Sequence, residues 1–300
     1  MKKILVTGGA GYVGTELVKI LINKGFEVVV IDNLSYNQKV FSDLLKNKRF
    51  RFIKGDIREE EDIKKALKDI DFIVHLAAIV GAPACDEKPA LAVKVNVHGT
   101  QVINKFRRNI PILYASTGSI YGKVDGTCNE ESPVNPLSLY GKTKYQAEKI
   151  VEKTGNYIVY RPATAFGVSE RMRTDLLIND FVNKALETNN LSLFEAHAKR
   201  TFIHVRDYAR AIVFAIDNFE KMKNQVYNIG DEKMNLTKKQ IAEIIKKQIK
   251  CKIEILKNGS DPDKRDYEVS YKKIKSLGFS AEITIQQGIE ELIKYYKRIK

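Results

Sequence analysis

Ile4-Leu5-Val6-Thr7-Gly8-Gly9-Ala10-Gly11-Tyr12-Val13-Gly14 is the stretch on which the fold turns. Its apolar triplet reads as a buried strand, and its last residues open an amphipathic helix that runs to about Asn23. Between them Gly8, Gly11 and Gly14 stand in G-x-x-G-x-x-G spacing. A backbone that passes from strand to helix this tightly needs glycine, and the missing Cβ atoms let a phosphate approach it. The helix N-terminus then offers unpaired N–H groups and a partial positive charge to the anion. A glycine triplet alone is weak evidence, but a strand before it and a helix after it supply the context for a dinucleotide pyrophosphate. Tyr12 and Val13 belong to the same expected contact surface.

Outward from this turn, short apolar runs alternate with amphipathic segments. Strands are expected at Glu27 to Ile31, Phe50 to Ile53, Phe72 to Leu76, Ile112 to Ala115, Tyr157 to Tyr160 and Val226 to Ile229. Helices are expected near Glu60 to Lys68, Pro89 to Arg107, Tyr140 to Lys153, Arg171 to Glu187, Asp207 to Asn218, Lys238 to Lys247 and Ile285 to Arg298. Continuously apolar strands between helices mean a parallel sheet covered on both faces. The expected class is therefore α/β, a doubly wound Rossmann sheet with a smaller interleaved α/β substrate lobe. Residues 1–166 and 199–230 would form the first unit, and 167–198 and 231–300 the second.

An apolar content of 44% with 29% charged residues is ordinary for a soluble globular chain of 300 residues. No apolar run reaches membrane-spanning length, and the N-terminal apolar stretch ends too soon for a signal peptide. The formal charge of +14 raises nucleic acid as a partner. The lysines punctuate helix faces instead of forming a block interleaved with aromatics, so nucleic acid is not expected and an anionic small substrate suits the charge. Cys85, Cys128 and Cys251 form no C-x-x-C pair or metal spacing, which fits a reducing, cytoplasmic setting and no metal. Cys85 reads as a bystander thiol in a loop, and His75 and His204 as satisfied structural histidines.

Asp32 closes the second strand, where a carboxylate accepts hydrogen bonds from adenosine ribose hydroxyls and repels a 2′-phosphate. That favours NAD, with Asn33, Asp56, Ile57, Leu76, Ala77 and Ala78 expected along the same edge. Tyr140 and Lys144 stand i and i+4 on a predicted helix and so share a face. For Tyr140 to act as a base near neutral pH, its phenolate must be stabilised by about 4 kcal/mol. A neighbouring ammonium in a shielded site provides stabilisation of that kind. Thr117 follows the fifth strand, at the sheet edge where cofactor and substrate meet, and can hydrogen-bond a reacting oxygen.

With these residues the chain resembles the extended short-chain dehydrogenase/reductases, and within them the nucleotide-sugar epimerases and dehydratases. Further matching pieces are Asn96-Val97-His98-Gly99-Thr100, Ser116 to Gly122, Arg161-Pro162-Ala163, Arg200 to Asp207 and Tyr227-Asn228-Ile229-Gly230. The resemblance covers nearly the whole length. It implies Tyr140 as base, Thr117 as its assistant and Lys144 as holder of the nicotinamide ribose. It further implies cofactor contacts from Asn96 and Ser116, a substrate diphosphate on Arg200, and hydride transfer at sugar C4. Met172 to Phe181, which contains Asn179, resembles a narrower branch that includes C4 dehydrogenases of capsular GDP-heptoses. Lys264 and Arg265 are available in the late loop for the diphosphate, though shifted from the family's usual arginine. Related 4,6-dehydratases carry Asp-Glu directly after the threonine, where this chain has Gly118 and Ser119. The expectation is a 4-epimerase or 4-dehydrogenase of a nucleoside-diphosphate sugar for surface polysaccharides, acting as a homodimer. A 4-keto-sugar reductase and a non-catalytic NAD-binding subunit are the alternatives.

Overall fold

The computed structural model describes residues 2–256 and 266–299. Strands β1 (Lys3–Thr7), β2 (Glu27–Asp32), β3 (Phe50–Lys54), β4 (Phe72–His75) and β5 (Ile112–Ala115) come first. β6 (Lys123–Cys128), β7 (Tyr157–Pro162), β8 (Thr164–Phe166), β9 (Asn190–Leu193) and β10 (Lys199–His204) follow. β11 (Gln225–Ile229), β12 (Asn235–Thr237), β13 (Lys252–Ile255) and β14 (Asp266–Val269) complete the described strands. Seven of them form one parallel sheet in the order β11-β7-β5-β4-β1-β2-β3. The order reverses between β1 and β4, so a crevice opens at the carboxyl ends of these two strands.

The helices are α1 (Tyr12–Asn23), α2 (Glu60–Ala66), α3 (Ala82–Glu87), α4 (Pro89–Val93), α5 (Thr100–Phe106) and α6 (Leu139–Glu152). The second half adds α7 (Leu177–Thr188), α8 (Val205–Asp217), α9 (Phe219–Met222), α10 (Lys238–Gln248), α11 (Lys272–Lys275) and α12 (Ile285–Ile299). One face of the sheet is sealed by α1 and α8 through Leu17, Leu21, Ile212 and Ile216. The opposite face is sealed by α2, α5 and α6 through Ile63, Val102, Ile103, Ala147 and Val151. A separate apolar cluster joins α7, α10 and α12 (Ile178, Val182, Ile241, Ile245, Ile289, Leu292) and reaches back to Phe166 and Phe202. Small sheets β12-β10-β8, β13-β9 and β14-β6 surround that cluster and the sheet edge.

Two expected helices differ. The Pro89–Arg107 helix contains a π segment, Lys94–Gly99, between α4 and α5. Such insertions concentrate at functional places, and this one carries Asn96. The helix expected from Arg171 begins only at Leu177. The intervening loop is fixed by Asn179, whose carbonyl oxygen accepts the Gly167 N–H (3.0 Å) and whose amide donates to Arg173 O (2.8 Å). The second bond takes up Arg173 O, a carbonyl that a longer helix would have used.

Candidate active site

A cavity of about 1150 Å³ lies along the carboxyl edge of the sheet and runs toward the second apolar cluster. The glycine-rich turn forms its floor. Gly8 has φ +68°, and a Cβ there would stand 2.6 Å from Ala77 Cα. A Cβ on Gly14 would stand 2.4 Å from the Gly9 carbonyl oxygen. Gly8 thus lets the turn lie on the end of β4, and Gly14 lets α1 start directly against it. Gly11 occupies the N-cap of α1 with no capping side chain and no acid in the first turn, which leaves N–H groups for an anion. Tyr12 lines the cavity, but its hydroxyl points to the second half of the chain and donates to Gly167 O at 2.6 Å.

Asp32 lines the far end of the same cavity. Its carboxylate accepts N–H bonds from Ala10 (3.1 Å) and Leu34 (2.8 Å), which orient it. Burial pushes this carboxyl above its ordinary value, and the two N–H groups pull against that. Asn33 donates to Asp56 at 3.1 Å. Arg58, which the sequence reading missed, grips Asp56 at 2.7 and 2.9 Å and holds its carboxyl down at about 2. Ile57, Leu76, Ala77 and Ala78 also line the cavity. Cβ-free backbone at a helix N-terminus, a carboxylate one strand away and small side chains between them fit a dinucleotide with a free ribose 2′-hydroxyl. Asn96 stands off this wall. It is buried, and its amide binds Ile79 N and O and the Thr143 hydroxyl, bracing the loop after β4 against α6.

On the opposite wall stand Ser116, Thr117, Tyr140 and Lys144. Ser138 caps α6 by accepting from Gly141 N at 3.1 Å, which fixes where the helix starts and therefore which face Tyr140 and Lys144 share. Thr117 Oγ1 accepts from Ser119 N and donates to Ser119 Oγ, both at 3.1 Å. Lys144 is 2% exposed, and burial pushes its ammonium down to about 7 against the opposing pull of Glu148 and Cys85. Burial thus opposes the ammonium that the sequence reading places beside Tyr140. Glu148, one further turn along α6, is fully buried and forms an ion pair with Arg161 of β7 at 2.6 Å. The Ser116 hydroxyl donates to the same carboxylate at 2.6 Å. The end of β5 that carries Thr117 is thereby tied to the helix that carries Tyr140.

Toward the second cluster the wall becomes cationic, with Arg171, Arg173, Lys184, Arg200 and Lys238. Arg200 is 4% exposed and donates to Lys199 O at 2.9 Å. Arg173 pairs bidentately with Asp175. Arg171 stacks on Tyr36, 4.2 Å from the ring centroid, and interacts electrostatically with Asp32. Arg171 and Arg173 were missed because the apolar spacing around them reads as helix. Asn179, expected to meet substrate, is fully buried behind this wall and acts on the loop instead. Lys264 and Arg265 lie outside the described residues.

Cys85 sits in α3, not in a loop, with its thiol buried and pushed up to about 11. His75 is bonded at both nitrogens, to Thr7 (2.7 Å) and Thr100 (3.0 Å). His204 is satisfied at Nδ1 by the Arg206 N–H, but its Nε2 makes no hydrogen bond. Among the described residues no His/Cys/Asp/Glu cluster could hold a metal ion, and no helix is long and apolar enough to cross a membrane.

Comparison with known proteins gives this geometry a family. Residues 4–230 match the NAD dependent epimerase/dehydratase family. A putative UDP-glucose 4-epimerase of Methanocaldococcus jannaschii is 29% identical over 98% of both chains. A dTDP-glucose 4,6-dehydratase of Streptomyces niveus is 28% identical, covering 98% of this chain and 93% of its own. Among solved structures, UDP-glucuronic acid 4-epimerase from Bacillus cereus, in complex with UDP-glucuronic acid and NAD, superposes with a TM-score of 0.86. It is 28% identical and matches over 99% of this chain and 100% of its own. The chain belongs to the NAD dependent epimerase/dehydratase family and is an NAD-dependent enzyme of the extended short-chain dehydrogenase/reductase type.

Proposed function

We propose that the enzyme oxidises the C4 hydroxyl of a nucleoside-diphosphate sugar, as a 4-epimerase or 4-dehydrogenase of surface-polysaccharide synthesis, and does not eliminate water from the sugar. The observation that carries this reading is one cavity lined by the glycine-rich turn, Asp32, Thr117, Tyr140 and Lys144. In this reading the glycine turn and the α1 N-terminus hold the pyrophosphate, and Asp32 takes the adenosine ribose. NAD supplies a hydride acceptor at the cavity wall. Tyr140 takes the C4 hydroxyl proton, Thr117 hydrogen-bonds the same oxygen, and Lys144 favours the phenolate while it is charged. Loss of that proton together with the C4 hydrogen as hydride leaves a ketone. Arg173 and Lys238, from the lobe formed by 167–198 and 231–300, and Arg200 of β10 line the same wall and are suited to a diphosphate.

The absence of a dehydratase step is supported by Gly118. A Cβ at this position would meet Pro162 O and the Tyr267 hydroxyl at 3.3 Å, closer than ordinary contact. The Tyr267 hydroxyl also donates to Gly118 O at 2.7 Å, so a side chain at 118 would require this held hydroxyl to give by a few tenths of an ångström. A thermal-shift screen against UDP-, GDP-, CDP- and dTDP-sugars identifies the nucleotide, since ligands that bind the folded state raise its melting point. NMR of the incubated ligand then distinguishes a C4 epimer, a 4-ketone formed with stoichiometric NADH, and a 6-deoxy-4-ketone. The last product would refute the proposal.

A further inference from the structure

Lys144 does not lie in open solvent or against a carboxylate. Its Nζ stands 4.3 Å from the centroid of the Tyr114 ring, on the fully buried strand β5. The Tyr114 hydroxyl reaches past it and donates to the backbone carbonyl of Lys144 at 3.3 Å. The ring is itself fixed by the His75 ring, 5.4 Å away and tilted by 48°. One aromatic residue therefore touches both ends of the lysine, its main chain and its charge.

The other groups around this ammonium are few. From α6 itself come Glu148, whose carboxylate is already paired with Arg161 and bonded to Ser116, and Tyr140. From α3 comes the Cys85 thiol, which burial keeps neutral. From β4 comes His75, bonded at both nitrogens and held neutral by burial down to about 3. The π segment against the same helix contributes the uncharged Asn96. Glu148 and Cys85 pull toward the ammonium from a distance, and the electron-rich face of Tyr114 adds a direct contact that favours the ammonium over the amine.

We propose that Tyr114 is a positioning residue for Lys144, its ring face seating the ammonium so that the charge stays at the wall Tyr140 shares. The proposal rests on the reading of Tyr140 as the proton acceptor. A desolvated cation–π contact favours the protonated lysine by an amount equivalent to about one pH unit. Without the ring, Lys144 gives up its proton more easily, and the phenolate of Tyr140, which also faces Arg173 and the Tyr208 phenol, loses one of its two cationic neighbours. The phenolate then forms only at higher pH.

The chain has 14 tyrosines and no tryptophan, so tyrosinate absorbance is free of indole background. Ultraviolet titration of the NAD-saturated enzyme, with Tyr140→Phe as the spectral blank, isolates Tyr140 without any sugar substrate. Tyr114→Leu is expected to raise the Tyr140 midpoint by about one pH unit, and Tyr114→Phe, which keeps the ring, to leave it in place. A ring-fluorinated phenylalanine at 114 keeps the shape but not the electron-rich face, and is expected to follow the leucine variant even where leucine disturbs folding. Unchanged midpoints in both ring-defective variants, or an equal shift in Tyr114→Phe, would overturn the proposal. A wild-type difference spectrum with no tyrosinate below the exposed tyrosines would instead overturn the assignment of Tyr140 as base.

Discussion

Replacing Glu148 by leucine tests how the wall that carries Thr117 and Tyr140 is held together. Glu148 is fully buried and Arg161 is 4% exposed, so the pair they form at 2.6 Å is shielded from water. The substitution leaves the Arg161 guanidinium with only the Tyr121 hydroxyl (3.1 Å) and Glu130 O (3.3 Å), and the Ser116 hydroxyl without its acceptor. Removing one partner of a buried ion pair costs about 3–5 kcal/mol, because a charge remains desolvated and uncompensated. For a chain of this size that corresponds to a melting temperature lower by roughly 6–10 °C. The companion variant Glu148→Leu/Arg161→Met removes both charges and keeps the Tyr121–Asn228 bond (2.7 Å). Its expected cost is below about 2 kcal/mol, since apolar replacement of a whole buried pair is often close to neutral. Denaturant unfolding of the wild type, both single variants and the double closes the cycle. A Glu148→Leu variant as stable as the wild type, or a double variant at the sum of the singles, would refute the reasoning.

Three further outcomes follow from the same geometry. Gly14→Ala, whose Cβ would meet backbone atoms at 2.4–2.7 Å, is expected to lose NAD binding in calorimetry and to melt lower than the wild type. Tyr140→Phe is expected to bind NAD normally but to lose at least about 10²-fold in turnover, the scale of general acid–base catalysis. Lys144 releases its proton at about 7 in the folded chain against an ordinary value of 10.5, so the unfolded chain holds the proton more tightly across that interval. The lysine therefore lowers stability most below pH 7, and stability recovers as pH rises from about 7 toward 10.5. Lys144→Met is expected to raise the melting temperature at pH 6 and to flatten that pH dependence in scanning calorimetry.

The parts of the fold legible in the sequence were those governed by local period and spacing. The β1–turn–α1 unit announces itself because glycines are needed where backbone meets backbone, as Gly8 does with Ala77. Tyr140 and Lys144 were legible because an i, i+4 pair on a helix shares a face whatever the rest of the chain does. Long-range satisfaction was not legible. Asn96 and Asn179 are spent on backbone groups of loops 6 to 17 residues away, and no local pattern reveals which amide will brace and which will bind. Arg173 was hidden because the apolar residues that follow it continue a helical period, while Asn179 and Asp175 hold the real chain in a loop. The same holds for Ser116, Glu148 and Arg161, whose partnership joins three elements far apart in sequence.

The central claim is that hydrogen leaves sugar C4 as hydride at the wall formed by Thr117, Tyr140 and Lys144. Its most direct test is a single turnover of the NAD-saturated enzyme with a C4-deuterated nucleotide sugar chosen by the thermal-shift screen, read by mass spectrometry of both products. The account predicts that deuterium leaves C4 and appears in the nicotinamide nucleotide, and that Tyr140→Phe suppresses the transfer. Deuterium retained at C4 while the sugar is converted, or lost from C4 to solvent without entering the nucleotide, would contradict it.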